Sequence, residues 1–261
     1  MMRTGTTYLQ NAVFPFFEGL HYIHKKQFFE RKRIVEETEA DRYLISYELA
    51  MDDQWEREIV NMARDFPQAI PIVVLRKHSA WLKSEYKRQL KNGNIRQLDA
   101  LWSASDDSSL YSKSDLMYVD RIACLQQHFT QEPIVLLYDD LTRDGLQFIE
   151  RLAAILGASF DPARIDLKPR HTSYGERQLR VLRWVMKYVN INREREDQPM
   201  AIFRIQRFLR DIVRYGTLHV SALLPIANKP LIPMATLEQI DAYFQEDWKS
   251  AVALAQKNQV A

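Results

Sequence analysis

A chain of 261 residues, 46% of them hydrophobic, is long enough to bury a sizeable core in one large domain or two small ones. Its formal net charge of only +2 excludes the broad basic coat of a non-specific nucleic-acid binder, and its single cysteine excludes an intrachain disulfide framework. No apolar run approaches the roughly 20 residues that a membrane-spanning helix needs.

The predicted elements alternate between helices and short strands over the first part of the chain. The hydrophobic pattern predicts strands at 21–23, 42–46, 70–75 and 134–137. It predicts helices at 6–17, 54–64, 79–90, 116–129 and 146–156, a polar loop or lid at 94–113, and only helices after residue 177. We therefore expect an α/β fold in which helices cover both faces of a parallel sheet, followed by a mainly helical portion over residues 161–261.

The first residues have the composition of an anion-binding turn. The sequence is Arg3-Thr4-Gly5-Thr6-Thr7, followed by a predicted helix start. A glycine lets the backbone approach an anion, and the hydroxyls and free N–H groups of a helix start can bind it. Such turns usually follow a buried central strand, and a sheet lacking that strand would leave backbone groups unpaired on both neighbours. We therefore expect a short apolar segment to precede Arg3 in a longer form of the protein.

Other candidate residues follow the remaining predicted strands. Ser46 and Glu48 come after the second strand, Arg76 directly after the third, and Tyr138 directly after the fourth. Ligands of parallel sheets bind beyond the carboxyl ends of the strands, so these residues should share one edge. Arg76 and Ser84, eight positions later on the next helix, would suit one anionic group. An arginine paired with a carboxylate and an exposed helical serine are the structural alternatives.

Taken together, three segments resemble the sulfotransferases that use 3′-phosphoadenosine 5′-phosphosulfate (PAPS). The first is Arg3-Thr4-Gly5-Thr6-Thr7-Tyr8-Leu9, the second is an apolar strand with Arg76 and Ser84, and the third is an apolar strand followed by Tyr138-Asp139-Asp140-Leu141. Their order and spacing agree over roughly residues 3–160, and the Gly-Lys-Ser/Thr end of a kinase-type P-loop is absent. The resemblance implies one P-loop-like three-layer sandwich domain over residues 1–261, with the nucleotide-binding core at 1–160.

The resemblance also implies a role for each motif residue. The turn from Arg3 to Thr7 would hold the 5′-phosphosulfate, Arg76 and Ser84 the 3′-phosphate, and Tyr138 would lie near the adenine. Arg3 would stabilise negative charge and not act as an acid, because a guanidinium keeps its proton near neutral pH. The implied reaction is sulfuryl transfer to a hydroxyl or amine of a carbohydrate or small metabolite. The alternative is a non-catalytic remnant that binds a nucleotide or a glycan.

A hydroxyl acceptor needs a general base, and the first candidate is Glu48. Family members often place a Glu or His just after the second or third strand, although a carboxylate there could also cap a helix. Weaker candidates are His21, His24, His78 and His171. Because the histidines are scattered and there is one cysteine, the sequence gives no metal-ligand cluster, and we expect no metal.

The C-terminal third carries arginines at helical spacing, which indicate either a solvated face or an electropositive cleft for an anionic cofactor or acidic glycan. The two series are Arg177, Arg180, Arg183 and Lys187, and Arg204, Arg207, Arg210 and Arg214. Trp184, Tyr188 and Tyr215 could pack in the core or serve as sugar platforms. No nucleic-acid-binding signature is present. We expect a cytoplasmic protein, unless a missing N-terminal segment carried a signal.

Overall fold

A computed structural model describes residues 3–49, 54–94, 96–106, 108–167, 174–189, 199–225 and 229–260, which are mostly helical. The strands are β1 (His21–Ile23), β2 (Tyr43–Ile45), β3 (Ile72–Leu75) and β4 (Ile134–Leu137). The helices are α1 (Thr6–Ala12), α2 (Arg31–Glu37), α3 (Gln54–Asp65), α4 (His78–Lys91), α5 (Lys113–Leu116), α6 (Tyr118–His128), α7 (Tyr138–Arg143), α8 (Gly145–Leu156), α9 (Glu176–Met186), α10 (Met200–Leu223), α11 (Met234–Tyr243) and α12 (Gln245–Val260). Over these ranges, no helix combines the length and apolar character needed to cross a bilayer.

The strands form two parallel pairs. β1 pairs with β2, ending at Ile23 opposite Ile45, and β3 pairs with β4, ending at Leu75 opposite Leu137. Each pair is joined by a crossover that contains helices, as parallel strands require. The expected combination of helices with parallel strands is therefore present, but as two short two-stranded sheets within the described ranges.

The element boundaries follow local sequence chemistry. The apolar run at 134–137 is a strand with its predicted bounds. The predicted helix at 6–17 stops at Ala12, and a short 3₁₀ turn containing Pro15 follows it, because proline cannot supply the N–H that an α-helix needs. Gly157 ends α8 in the left-handed conformation, with φ 58°, as glycine commonly does after the last helical turn.

The chain divides into two compact units, so the expectation of a single domain stays a prediction. The first unit comprises the described residues of Met1–His78, Lys113–Arg170 and Phe244–Ala261. Its core joins α1 and α8, through Leu9 and Phe148, to side chains from both strand pairs, including Leu44, Val74 and Leu136. The two small sheets therefore contribute to one hydrophobic core.

Helix α12 is tied to α6 within this first unit by a buried carboxylate. Both oxygens of Asp247 accept backbone N–H bonds at 3.0 Å, one from Tyr118 and one from Val119, at the start of α6. Its Oδ2 also lies 3.2 Å from Nε2 of His78. Burial opposes ionisation of Asp247, but the hydrogen bonds from His78 and the two backbone groups outweigh it and lower its pKa.

The second unit comprises the described residues of Ser79–Ser112 and His171–Tyr243. Leu90, Leu101, Leu182 and Leu218 form its core. The predicted lid at 94–113 contributes to this core, because Leu101 and Tyr111 are buried and their backbones are hydrogen-bonded at 2.8 Å. This segment is therefore packed into the unit at both residues and is not an entirely solvated polar lid.

A carboxylate on α9 gives the second unit a pH-dependent contribution to stability. Glu176 lies 2.9 Å from Nζ of Lys83 and 3.0 Å from Nζ of Lys87, and it accepts the N–H of Leu231 at 2.8 Å. Burial raises its pKa, but these donors outweigh burial and lower the pKa from 4.5 to about 2. A carboxyl with a lowered folded-state pKa stabilises the fold above its unfolded value and loses that contribution as the pH falls toward 2.

We expect Glu176→Gln to lower the free energy of unfolding by about 1–2 kcal/mol at pH 7, because three donors lose a charged acceptor. The difference from the unsubstituted protein should shrink steadily between pH 5 and pH 2. Urea unfolding at several pH values measures it, with Glu238→Gln on α11, an exposed carboxylate, as the control. A difference that stays constant down to pH 2 would contradict this account.

Candidate functional site

The turn before α1 has an unusual backbone conformation at two residues and packs closely against α7. Arg3 and Gly5 have positive φ, 66° and 78°, a conformation that is uncommon outside glycine. A Cβ at Gly5 would lie 2.7 Å from Cδ2 of Leu141 and 3.2 Å from Cε2 of Tyr138, so α7 leaves little room for a side chain. α1 has only 7 residues. The helix dipole is therefore small. An anion at this turn would be attracted mainly by the positive charge of arginine side chains.

Arg76 and Tyr138 lie side by side because they directly follow the paired ends of β3 and β4. The Arg76 guanidinium carbon is 4.5 Å from the centroid of the Tyr138 ring, and its Nη1 donates to the carbonyl of Arg3 at 3.1 Å. Residues from the first, second and third sequence motifs therefore meet at one place. This is the edge at which the sequence places them.

The Nε of Arg76 is buried without a hydrogen-bond partner among the described residues. Within the same part of the chain, Arg76 also has no carboxylate at ion-pair distance, so the alternative of a structural ion pair finds no support there. A buried donor without an acceptor costs about 1–3 kcal/mol.

The segment after β2 reaches the same turn. The hydroxyl of Thr7 donates to Oε1 of Glu48 at 2.7 Å, and Nε2 of Gln10 on α1 donates to Oγ of Ser46 at 3.0 Å. The turn is therefore contacted by residues following β2 and by the residue following β3, which belong to different strand pairs. Glu48, the first candidate base, lies directly beside the candidate anion-binding residues.

Two buried side chains, Thr4 and Tyr118, help to hold the turn and Arg76 in position. Thr4 is only 1% exposed, and its hydroxyl lies 3.3 Å from that of Thr6, so it shapes the turn from the inside. The hydroxyl of Tyr118, at the start of α6, donates to the carbonyl of Arg76 at 2.5 Å. Burial raises the pKa of Tyr118, which keeps this hydroxyl protonated as a donor. Tyr118 was not identified from the sequence, because nothing local connects it with Arg76.

His78 faces neither the site nor solvent, the two places that the sequence left open for it. Its ring is 2% exposed and stacks between Tyr118 and Phe244, with ring centroids 4.3 Å away on each side. Its Nε2 lies 3.0 Å from the carbonyl of Leu116 and 3.2 Å from Asp247. Both of these groups are acceptors, so Nε2 carries a proton and is not available as a base.

His24 is the histidine that remains close to the turn. Its Nδ1 accepts the N–H of Lys26 at 3.2 Å, and its Nε2 lies 3.4 Å from Oδ1 of Asn11, whose Nδ2 donates to the carbonyl of Thr7 at 2.8 Å. Burial and the neighbouring charges of Lys26 and Lys25 lower its pKa, which favours the neutral form. His21 lies at the opposite end of β1, and His171 lies outside the described residues.

Ser84 belongs to the second unit and Arg76 to the first. Ser84 lies on α4, as the sequence predicts. The proposed sharing of one 3′-phosphate between Arg76 and Ser84 stays a prediction.

The first arginine series is used mainly for contacts inside the second unit. Arg177 donates to the carbonyl of Ala222, Arg180 to that of Lys229, and Nη1 of Arg183 to the Tyr86 hydroxyl at 3.0 Å. These guanidinium groups tie α9 to neighbouring segments. Lys187 of the same series is exposed, so the choice between a solvated face and an electropositive cleft stays a prediction.

The second series lies on α10, where several apolar side chains are exposed as well. Arg210 and Arg214 are half-buried, while Arg204 and Arg207 are exposed. The apolar residues Ile205, Phe208, Leu209 and Ile212 are 50–65% exposed. Trp184 on α9 and Tyr188, two residues beyond the end of α9, are also exposed, at 61% and 74%, so core packing is the wrong expectation for both aromatic side chains.

One cluster of possible metal ligands lies outside the turn. Glu56 on α3 and Cys124 and His128 on α6 bring a carboxylate, a thiol and an imidazole within 4.8 Å of one another. The sequence alone does not indicate this group, because Glu56 is distant in the chain from Cys124 and His128. The available signal was the spacing of Cys124 and His128, which places them on one helix face.

No family model, curated protein or solved structure matches this chain. The function must therefore be argued from the site itself.

Proposed function

We propose that the protein is a PAPS-dependent sulfotransferase, which transfers a sulfuryl group to a hydroxyl or amine of a carbohydrate or small metabolite. The observation that carries the proposal is the meeting of the turn around Gly5 with Arg76, Tyr138 and Glu48. The turn, Arg76 and Tyr138 come from the three separate motifs of the resemblance, and Glu48 is the first candidate base. In the same proposal, the two strand pairs belong to one sheet of a three-layer sandwich, and the turn lies at its centre.

The proposed roles follow from the charges and contacts at the turn. Arg3 and the backbone N–H groups from Gly5 to Thr7 hold the 5′-phosphosulfate, and the guanidinium of Arg76 holds the 3′-phosphate. The adenine lies near Tyr138. Sulfuryl transfer asks the protein mainly to position the reactants and to stabilise charge, as phosphoryl transfer does.

In the proposed reaction, the acceptor oxygen forms a bond to sulfur while the bond from sulfur to the bridging oxygen breaks. The electrons of that bond stay on the bridging oxygen, which leaves on the 5′-phosphate of adenosine 3′,5′-bisphosphate. Glu48 takes the proton of the acceptor hydroxyl, and Arg3 stabilises the charge on the departing oxygen. Thr7 donates to Oε1 of Glu48, and the second carboxylate oxygen, Oε2, takes the acceptor proton.

Calorimetry with adenosine 3′,5′-bisphosphate tests the nucleotide part of this proposal. We expect saturable binding at one site per chain, and weaker binding of adenosine 5′-phosphate, which lacks the 3′-phosphate. Absence of binding would reject the proposal. If the nucleotide binds, incubation with PAPS and a panel of hydroxyl- and amine-bearing acceptors separates an enzyme from a non-catalytic nucleotide- or glycan-binding remnant.

A further inference from the structure

Three side chains of different metal-binding chemistry converge where α3 packs against α6. Cys124 and His128 are four residues apart, so both project from one face of α6. Glu56, in the first turn of α3, brings its carboxylate to the same point, and the three ligand atoms lie within 4.8 Å of one another. Cys124 and His128 are half-buried and Glu56 is exposed, so an ion could reach the cluster from solvent.

The three groups have no other binding partner that the structure describes. None of the three side chains makes a hydrogen bond or an ion pair with another described residue. They therefore do not form an ordinary polar network that happens to contain ligand-type residues. Because no other described side chain engages them, the three ligand atoms are available to a cation.

We propose that Glu56, Cys124 and His128 form a zinc site that joins α3 to α6. Thiolate, imidazole and carboxylate are the ligand types that Zn²⁺ takes in proteins, and three of them leave one tetrahedral position for water. A thiolate and a carboxylate together balance the two positive charges of the ion.

The cluster needs only a small adjustment to hold the ion. Bond lengths of about 2.0–2.3 Å place neighbouring ligand atoms in a tetrahedral zinc site about 3.3–3.8 Å apart. The present separations reach 4.8 Å at most. Because Glu56 is exposed, a change of its rotamer can bring its carboxylate closer.

Binding should release a proton from Cys124. An ordinary cysteine thiol, with a pKa of about 8.5, is mostly protonated at neutral pH. Coordination requires the thiolate. The proton release gives the experiment a readout that is independent of any enzymatic activity.

The test uses the full chain after removal of metal with a chelator. We expect Zn²⁺ to bind with one ion per chain, to release about one proton per ion, and to raise the melting temperature. Co²⁺ in place of Zn²⁺ should give the intense near-ultraviolet absorption of a cobalt–thiolate bond. Cys124→Ser should abolish that absorption. His128→Gln and Glu56→Gln should each weaken zinc binding by at least about 10–100-fold, the usual loss for altering even an outer-shell group.

Glu58→Gln is the matched control, because Glu58 lies on the same helix outside the cluster. It should bind zinc as the unsubstituted chain does. If Cys124→Ser fails to fold, the substitutions of His128 and Glu56 still decide the question. Failure of zinc to bind, absence of the cobalt–thiolate absorption from the unsubstituted chain, or equal binding by all variants would overturn the site. Equal binding would indicate an adventitious ion only.

Discussion

Glu48→Gln is expected to lower the rate of sulfuryl transfer by at least about 100-fold, the usual cost of removing a general base. The glutamine amide cannot take the proton of the acceptor hydroxyl, as the glutamate carboxylate would. It keeps nearly the same shape and can still accept the hydrogen bond that Thr7 donates at 2.7 Å. Nucleotide affinity should therefore change little. Initial rates with PAPS, measured beside calorimetry on the same preparation, separate the two effects.

The control for this substitution is Glu36→Gln on α2, because Glu36 is an exposed carboxylate away from the strand ends. It should leave both rate and affinity unchanged. Unchanged turnover in Glu48→Gln would remove Glu48 from the base role. His24→Gln would then be the next variant to measure, because His24 is held near Thr7 through Asn11 and its lowered pKa favours the neutral form.

Local sequence patterns predicted most elements of the strand-and-helix region because continuous apolar runs and turn residues determine them. The run at 134–137 is an example, with the bounds of β4 matching the prediction. α2 was missed because its seven residues are mostly charged and contain only Ile34 and Val35 as apolar residues. The division of the strands into two pairs depends on long-range pairing, which no local pattern contains.

Parts of the candidate site could be predicted from a general rule about parallel sheets, without knowing which distant residues are in contact. Parallel strands end at one edge, and that rule brought Arg76 and Tyr138 together from the sequence alone. It could not indicate the Tyr118 hydroxyl beneath Arg76, nor the Asp247 carboxylate that accepts from the backbone at the start of α6. Those contacts depend on how α6 and α12 pack.

The same limit applies to α10. Its alternation of arginines with Ile205, Phe208 and Ile212 predicts an amphipathic helix, but periodicity does not say which face is covered. The structure leaves the apolar face more exposed than the positions of Arg210 and Arg214. Amphipathicity therefore predicted the helix correctly, but it did not predict that the apolar residues would be exposed.

Arg76→Ala is expected to weaken binding of adenosine 3′,5′-bisphosphate by about 2 kcal/mol or more, which is about 30-fold in the dissociation constant. The loss has two physical sources. The guanidinium supplies charge and hydrogen-bond donors to the 3′-phosphate, and its Nη1 also holds the carbonyl of Arg3 at 3.1 Å. The first source acts only on nucleotides with a 3′-phosphate, whereas the second acts on every ligand of the turn.

Calorimetry with both nucleotides separates these sources. Adenosine 5′-phosphate should lose much less affinity than adenosine 3′,5′-bisphosphate. Arg76→Lys should fall between the alanine variant and the unsubstituted chain, because lysine keeps the charge but loses the planar fork that stacks on Tyr138. Arg33→Ala, which removes an exposed arginine of α2, should bind both nucleotides normally. An equal loss for the two nucleotides in Arg76→Ala would mean that Arg76 only shapes the turn, and the 3′-phosphate would have to be bound elsewhere.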